Sequence, residues 1–317
     1  MIYAYYFIYL GENITFEIID AAGRPEKGEG VGVIRDILAT TWQDILDSLC
    51  VGQAERVPFV RHDLYMEEWK SIGKLLRYGY EKVGFFPTQL SKAFVMICLF
   101  ESVPNEILID SFLNYIPSMD HEMVNSALQA DFDTIRSDEF LDFLDRFNCR
   151  SHVTPLNVYG IILELSQQEL VQKPYLMVSV WREVLSGMKT YEDFSSVCNI
   201  KKFYNKVQPT NRKVLQLLKA EPISDAERES YKFLQEYVRG LDKKELKVFL
   251  KFVTGSFIII VKNIQVSFNN LQGAQRRPFV RTCTPMIELP ATYRNFCELR
   301  EEFSNILKSS QWEFDTA

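Results

Sequence analysis

Phe249-Leu250-Lys251-Phe252-Val253-Thr254-Gly255-Ser256, followed downstream by Arg281-Thr282-Cys283-Thr284 and Ile287-Glu288-Leu289-Pro290, is the stretch whose reading decides the fold. Its first part is an amphipathic helix pattern closed by glycine, the residue that tolerates a left-handed C-terminal turn. Ile264-Gln265-Val266-Ser267-Phe268 then alternates as a strand, and a basic loop with Arg276, Arg277 and Arg281 leads into Cys283. Tyr293, Phe296, Leu299, Phe303, Ile306 and Leu307 share one face of a last helix over about 292–308. A cysteine on a polar loop between strands and a final helix is a candidate nucleophile, because the reactive species is an accessible thiolate.

Working outward, the chain just upstream of this region shows its starts and stops clearly. Pro222 disfavours helix for Glu221, and Ser224 with Glu227 has capping-box spacing. A helix runs to about Arg239 and Gly240; Asp242 with Glu245 opens the next, ending near Gly255. The apolar run Phe257-Ile258-Ile259-Ile260-Val261 reads as a strand joined to 264–268 by Lys262-Asn263. Farther back, helical patterns dominate from about Val33 to Glu169. They follow a strand at 14–19 and a Gly/Pro loop that ends Gly28-Glu29-Gly30-Val31-Gly32.

Composition narrows the function classes. The 317 residues are enough for two domains or lobes, with 47% hydrophobic and 25% charged residues. A net charge of -6 gives no global basic field for nucleic acid or an anionic membrane. Six cysteines without a C-x-x-C pair fit a reducing compartment, with cytoplasm or nucleus as the expected location. Three histidines, His62, His121 and His152, show no metal-ligand spacing, so no histidine-based metal site is expected. The apolar first ten residues lack a basic n-region and are too short to span a bilayer. The glycine-rich turn lacks the third glycine of a dinucleotide loop, since Val33 stands there, and glycines at such a turn serve backbone geometry. A cysteine protease would need a histidine base, and none lies in the tail region. Cys50, Cys98, Cys149, Cys198 and Cys297 sit in apolar patterns and are expected to pack as small hydrophobes.

The last ninety or so residues resemble the C-terminal lobe of a HECT-type ubiquitin-protein ligase. Four motifs carry the resemblance in order. Residues 249–256 resemble the F-L-x-F-V-T-G-S helix end, and Arg281-Thr282-Cys283 resembles the x-T-C loop. Leu289-Pro290 and Tyr293 resemble the L-P-x-Y step, and Phe314 stands fourth from the end, where the family carries a functional phenylalanine. Upstream, residues 16–35 with their glycine-rich turn resemble the opening of the family's N-lobe, and Glu68-Trp69 to Pro87, with Gly73-Lys74 and Phe85-Phe86-Pro87, resembles that lobe's F-x-x-(I/L)-G-K...P segment. The chain is most similar to the divergent subgroup around the G2/M phase-specific ubiquitin-protein ligase. It departs from the family's pattern at Arg281, where histidine is usual, at Thr284-Pro285, where Phe-Asn is usual, and in lacking an evident L-T-F hairpin over about 101–200.

The resemblance implies an α+β, bilobal HECT domain. A mostly helical N-lobe (1–222) would dock the conjugating enzyme, and a small α/β C-lobe (223–317) would carry Cys283, with a hinge near Pro222. It further implies a ubiquitin transferase that takes ubiquitin as a thioester on Cys283, with Thr282 and Phe314 assisting. The implied partners are ubiquitin, a conjugating enzyme and protein substrates. Arg276, Arg277 and Arg281 are the expected source of positive charge around the sulfur. The altered residues beside Cys283 keep a second expectation alongside, an interaction module of the same fold without activity.

Overall fold

The computed structural model describes residues 30–308 and, before them, the strands β1 (Ala4–Leu10), β2 (Asn13–Ile19) and β3 (Pro25–Glu26). β1 pairs antiparallel with β2, from Ala4 opposite Ile19 to Leu10 opposite Asn13, and β3 joins the outer side of β2. The expected strand at 14–19 is therefore present, and the apolar start of the chain supplies its neighbour.

Helices then dominate. α1 (Val31–Leu49) leads to the short hairpin β4 (Cys50–Gly52) and β5 (Arg56–Pro58). Next come α2 (Met66–Val83), α3 (Lys92–Phe100), α4 (Asn105–Tyr115), α5 (Ser118–Leu128), α6 (Phe132–Ile135), α7 (Asp138–Arg146), α8 (Val158–Gln167), α9 (Tyr175–Leu185), α10 (Val197–Val207) and α11 (Asn211–Leu217). The last part alternates: β6 (Leu218–Ala220), α12 (Asp225–Gly240), α13 (Lys243–Thr254), β7 (Ile264–Asn269), β8 (Phe279–Arg281), β9 (Met286–Pro290) and α14 (Phe296–Lys308). Helices with a small mixed sheet make the chain α+β. No helix among the described residues is long and apolar enough to cross a membrane.

The chain divides into two compact units. The first comprises the described parts of Met1–Thr41, Tyr78–Phe86 and Val207–Ala317; the second comprises Trp42–Arg77 and Pro87–Lys206. The second unit is helical around an aromatic core. Trp181 donates Nε1–H to the Trp69 carbonyl at 2.7 Å and stands edge-on to Phe94, with ring centres 5.4 Å apart. Burying an aromatic of this size removes a large apolar area from water, and the indole donor must then find an acceptor inside, as it does here.

In the first unit a four-stranded sheet runs in the order β6-β7-β9-β8. β6 and β9 lie parallel to β7 on either side of it, and β8 is antiparallel to β9. α12 packs on β9 and on α14. Leu234, Tyr237, Phe249, Ile287, Leu289 and Phe303 form much of its core. Both capping boxes form. Ser224 Oγ accepts the Glu227 N–H at 3.2 Å, Asp242 Oδ1 accepts the Glu245 N–H at 2.8 Å, and each glutamate reaches back to the N-cap N–H.

Leu218–Ala220 forms a strand hydrogen-bonded to β7, so the compact unit that holds this sheet takes in the chain from Val207 onward. Two expectations are corrected. The apolar run 257–261 is not a strand: the Ile259 N–H bonds the Val207 carbonyl at 2.8 Å instead of a sheet neighbour. Cys50 and Cys98 are buried as expected, but Cys198 and Cys297 lie on the exposed sides of α10 and α14, and Cys149 is half-buried.

Candidate active site

Cys283 lies on the turn Thr282–Pro285 that joins β8 to β9. Their antiparallel register ends with Arg281 opposite Met286, which leaves four residues for the reversal. The Pro285 carbonyl accepts the Gln265 N–H of β7 at 2.9 Å, anchoring the turn to the middle of the sheet. Within this fixed turn Thr282 is buried and Cys283 is exposed.

The turn rests on the amino end of α1. The Gly30 carbonyl accepts the Ile34 N–H at 3.1 Å, so Gly30 is the N-cap of this helix. A Cβ on Gly30 would lie 2.7 Å from Cys283 Sγ. A Cβ on Gly32 would lie 2.5 Å from the Cys283 nitrogen, the Thr282 carbonyl carbon and Thr282 Oγ1. Neither contact leaves room for a side chain. Glycine is needed here for close backbone approach, which is more than the turn geometry read from the sequence.

The end of α13 meets the same helix turn. Gly255 closes α13 in the left-handed region, φ 75°, with its N–H on the Lys251 carbonyl at 2.8 Å. The Thr254 hydroxyl donates to the Leu250 carbonyl at 2.8 Å and accepts the Ser256 N–H at 3.3 Å, which turns the chain out of the helix. A Cβ on Gly255 would lie 2.8 Å from the Gly32 carbonyl oxygen and 3.3 Å from Arg35 Cβ. Three motifs distant in sequence therefore converge: the glycine-rich turn, the T-G-S helix end and the T-C loop.

Two of the three expected cations are engaged elsewhere. Arg276 donates Nη1–H to Glu298 at 2.6 Å, stands 3.6 Å from Glu302 and covers the Tyr293 ring at 5.0 Å, so it braces the loop before β8 to α14. Arg277 lies over the Phe279 ring at 4.6 Å, and Arg281 is exposed on β8. Arg35 of α1 is a further cation at this corner, and sequence reasoning missed it. Burial pulls its guanidinium below the ordinary 12.5, and interaction with Cys283 acts in the opposite direction. Its Nε and Nη1 atoms are buried with no hydrogen-bond partner among the described residues. Next to it, Asp36 pairs with Lys251 at 3.4 Å; burial raises the carboxyl above its ordinary value and Lys251 opposes that rise. In sequence Arg35 is one charge in an amphipathic helix, and only its spacing of three from Gly32 hints at a shared face.

Of the expected site residues, Cys283 and Thr282 are together on the turn. Thr282 turns its hydroxyl into Gly32 rather than toward solvent. Phe314 lies outside the described residues. No cluster of His, Cys, Asp or Glu among the described residues could hold a metal ion.

Residues 176–317 match the HECT-domain (ubiquitin-transferase) family. The matched segment contains the sheet, Gly255 and Cys283, whereas Gly30, Gly32 and Arg35 lie outside it. No curated protein matches the chain.

Proposed function

We propose that the chain is a HECT-type ubiquitin transferase that works through Cys283, with its similarity extending to the divergent subgroup around the G2/M phase-specific ubiquitin-protein ligase. The observation that carries this reading is an exposed thiol on a fixed hairpin turn within the family-matched segment. In the first step the Cys283 thiolate attacks the carbonyl carbon of a ubiquitin thioester on a conjugating enzyme. The bond to that enzyme's sulfur breaks and its thiolate leaves. In the second step the neutral amine of a substrate lysine attacks the new thioester, the Cys283 thiolate leaves, and the surplus amine proton passes to solvent. Neither step requires a metal or an organic cofactor.

Thr282, fixed against α1, would hold the turn in place, and Phe314 would help position the transferring ubiquitin. The helical part of the chain would dock the conjugating enzyme, and the protein would act in the cytoplasm or nucleus. One observation favours a second reading, a binding module without activity: Arg281 and Thr284-Pro285 replace the residues usual beside the cysteine.

One experiment separates the two. The purified chain is mixed with a panel of ubiquitin-charged conjugating enzymes and resolved without reductant. A ubiquitin adduct that thiol releases and that Cys283→Ser abolishes or converts to a thiol-resistant ester supports the transferase. Failure to form any adduct across the panel leaves the binding module.

A further inference from the structure

Acyl transfer moves negative charge from a sulfur to a carbonyl oxygen and back, so the reaction favours a cation already held beside the sulfur. Of the basic residues near Cys283 in sequence, Arg276 is tied to Glu298 and Glu302, Arg277 lies on Phe279, and Arg281 is exposed to solvent, which screens its charge. Arg35 is differently placed. It stands three residues after Gly32, on the helix face that carries the Thr282–Cys283 peptide. Side chains on a helix lean toward its amino end, which directs this one back toward the turn that holds the thiol. The adjacent carboxylate, Asp36, faces Lys251. Two buried nitrogens of Arg35 are left without a hydrogen-bond acceptor among the described residues. A buried charged donor without a partner is costly, and an anion arriving beside it relieves that cost.

We propose that Arg35 is the cationic partner of Cys283, its unpaired Nε–H and Nη1–H groups facing the negative charge that forms on the sulfur and then on the thioester oxygen. This rests on the reading of Cys283 as the acyl-carrying nucleophile. The helix end adds to the effect, since the amino terminus of α1 carries partial positive charge.

Alkylation tests the pairing without ubiquitin. The rates of Cys283 modification by iodoacetate, an anion, and by iodoacetamide, a neutral reagent of similar size, are read by mass spectrometry of the peptide carrying it. In Arg35→Met the iodoacetate-to-iodoacetamide ratio should fall about three- to tenfold at Cys283. It should hold at exposed Cys297 and be largely kept in Arg35→Lys. An unchanged ratio in a folded Arg35→Met protein overturns the pairing, and protection of buried Cys98 certifies the fold. If the variant does not fold, the wild type decides: its native ratio at Cys283 should exceed that of the same residue in urea, and no excess overturns the pairing.

Single-turnover transfer from a charged conjugating enzyme tests the role. Thioester formation should slow about 10- to 100-fold in Arg35→Met. A lowered labelling ratio with normal transfer overturns the role in transfer. An altered ratio with no adduct even in wild type removes the transferase reading and the transfer role with it, while leaving the pairing. An adduct in wild type with an unaltered ratio removes the Arg35 proposal alone.

Discussion

In the second unit Cys50 and Cys98 each interact with an arginine, Arg56 and Arg182; in the first unit Cys283 interacts with Arg35. The residue pairs are the same and the settings are not. Burial pushes the Cys50 thiol up to about 12 and Cys98 higher, and the opposing pull of the arginines does not offset it. Those arginines also reach protein acceptors, although Arg182 Nε is buried without a partner among the described residues. Arg56 donates to the Leu46 carbonyl at 2.9 Å and pairs with Asp47, while Arg182 reaches the Ile97 carbonyl at 3.4 Å and Glu101 at 3.7 Å. Cys283 is exposed, and Arg35 keeps two buried nitrogens unpaired. Proximity to a cation does not make a nucleophile; solvent access separates the sites.

The largest test of that contrast is native-state alkylation. Cys98 is reached only through opening of its unit, so it should react at least about a thousandfold more slowly than Cys283. Comparable rates would erase the difference between the two settings.

A smaller effect tests the docking of the turn. Gly32 is inside α1, where alanine ordinarily stabilises a helix by up to about 1 kcal/mol. Here the new methyl would strike the Thr282–Cys283 backbone, so Gly32→Ala should destabilise by about 1–3 kcal/mol in chemical denaturation. The control sits in the second unit: a Cβ on helical Gly160 meets nothing within 4 Å. Gly160→Ala should therefore stabilise by about 0.5–1 kcal/mol. The same sign for both would remove the close contact from the account of the site.

The smallest concerns pH. Burial raises the Asp36 carboxyl in the fold above its ordinary 3.8, so the folded chain binds this proton more tightly than the unfolded chain. The stabilisation this gives is complete below 3.8 and is lost as pH rises through the raised value. Thermal midpoints of the wild type and Asp36→Asn across that window should diverge with this sign. The slope cannot exceed about 1.4 kcal/mol per pH unit for one proton. No divergence would mean that Lys251 fully compensates the buried charge.

Much of the first unit was legible in the sequence because its signals are local. Ser224 with Glu227 and Asp242 with Glu245 announce helix starts within four residues, and Gly255 announces an end. The exposed thiol on a loop before the last helix followed from the same kind of reading. Three features were not legible, each for a non-local reason. Leu218–Ala220 carries only a break in the helical pattern, and it becomes strand because β7 lies alongside it. The run 257–261 looks like strand, but its backbone is drawn to Val207. Arg35 and Cys283 meet through tertiary packing, which no spacing rule reports.

The convergence on α1 also orders events during synthesis. Residues 30–35 leave the ribosome early, and the turn at 282–285 leaves late. Through that interval the glycine face of α1 has no turn to cover it, and Arg35 has no sulfur beside it. A fragment limited to the family-matched segment would show a thiol on a hairpin without either. The nascent chain is thus kept from assembling this corner until all the chain between its two halves has been made, so a product whose synthesis stops early would carry the helix and Arg35 but not the cysteine.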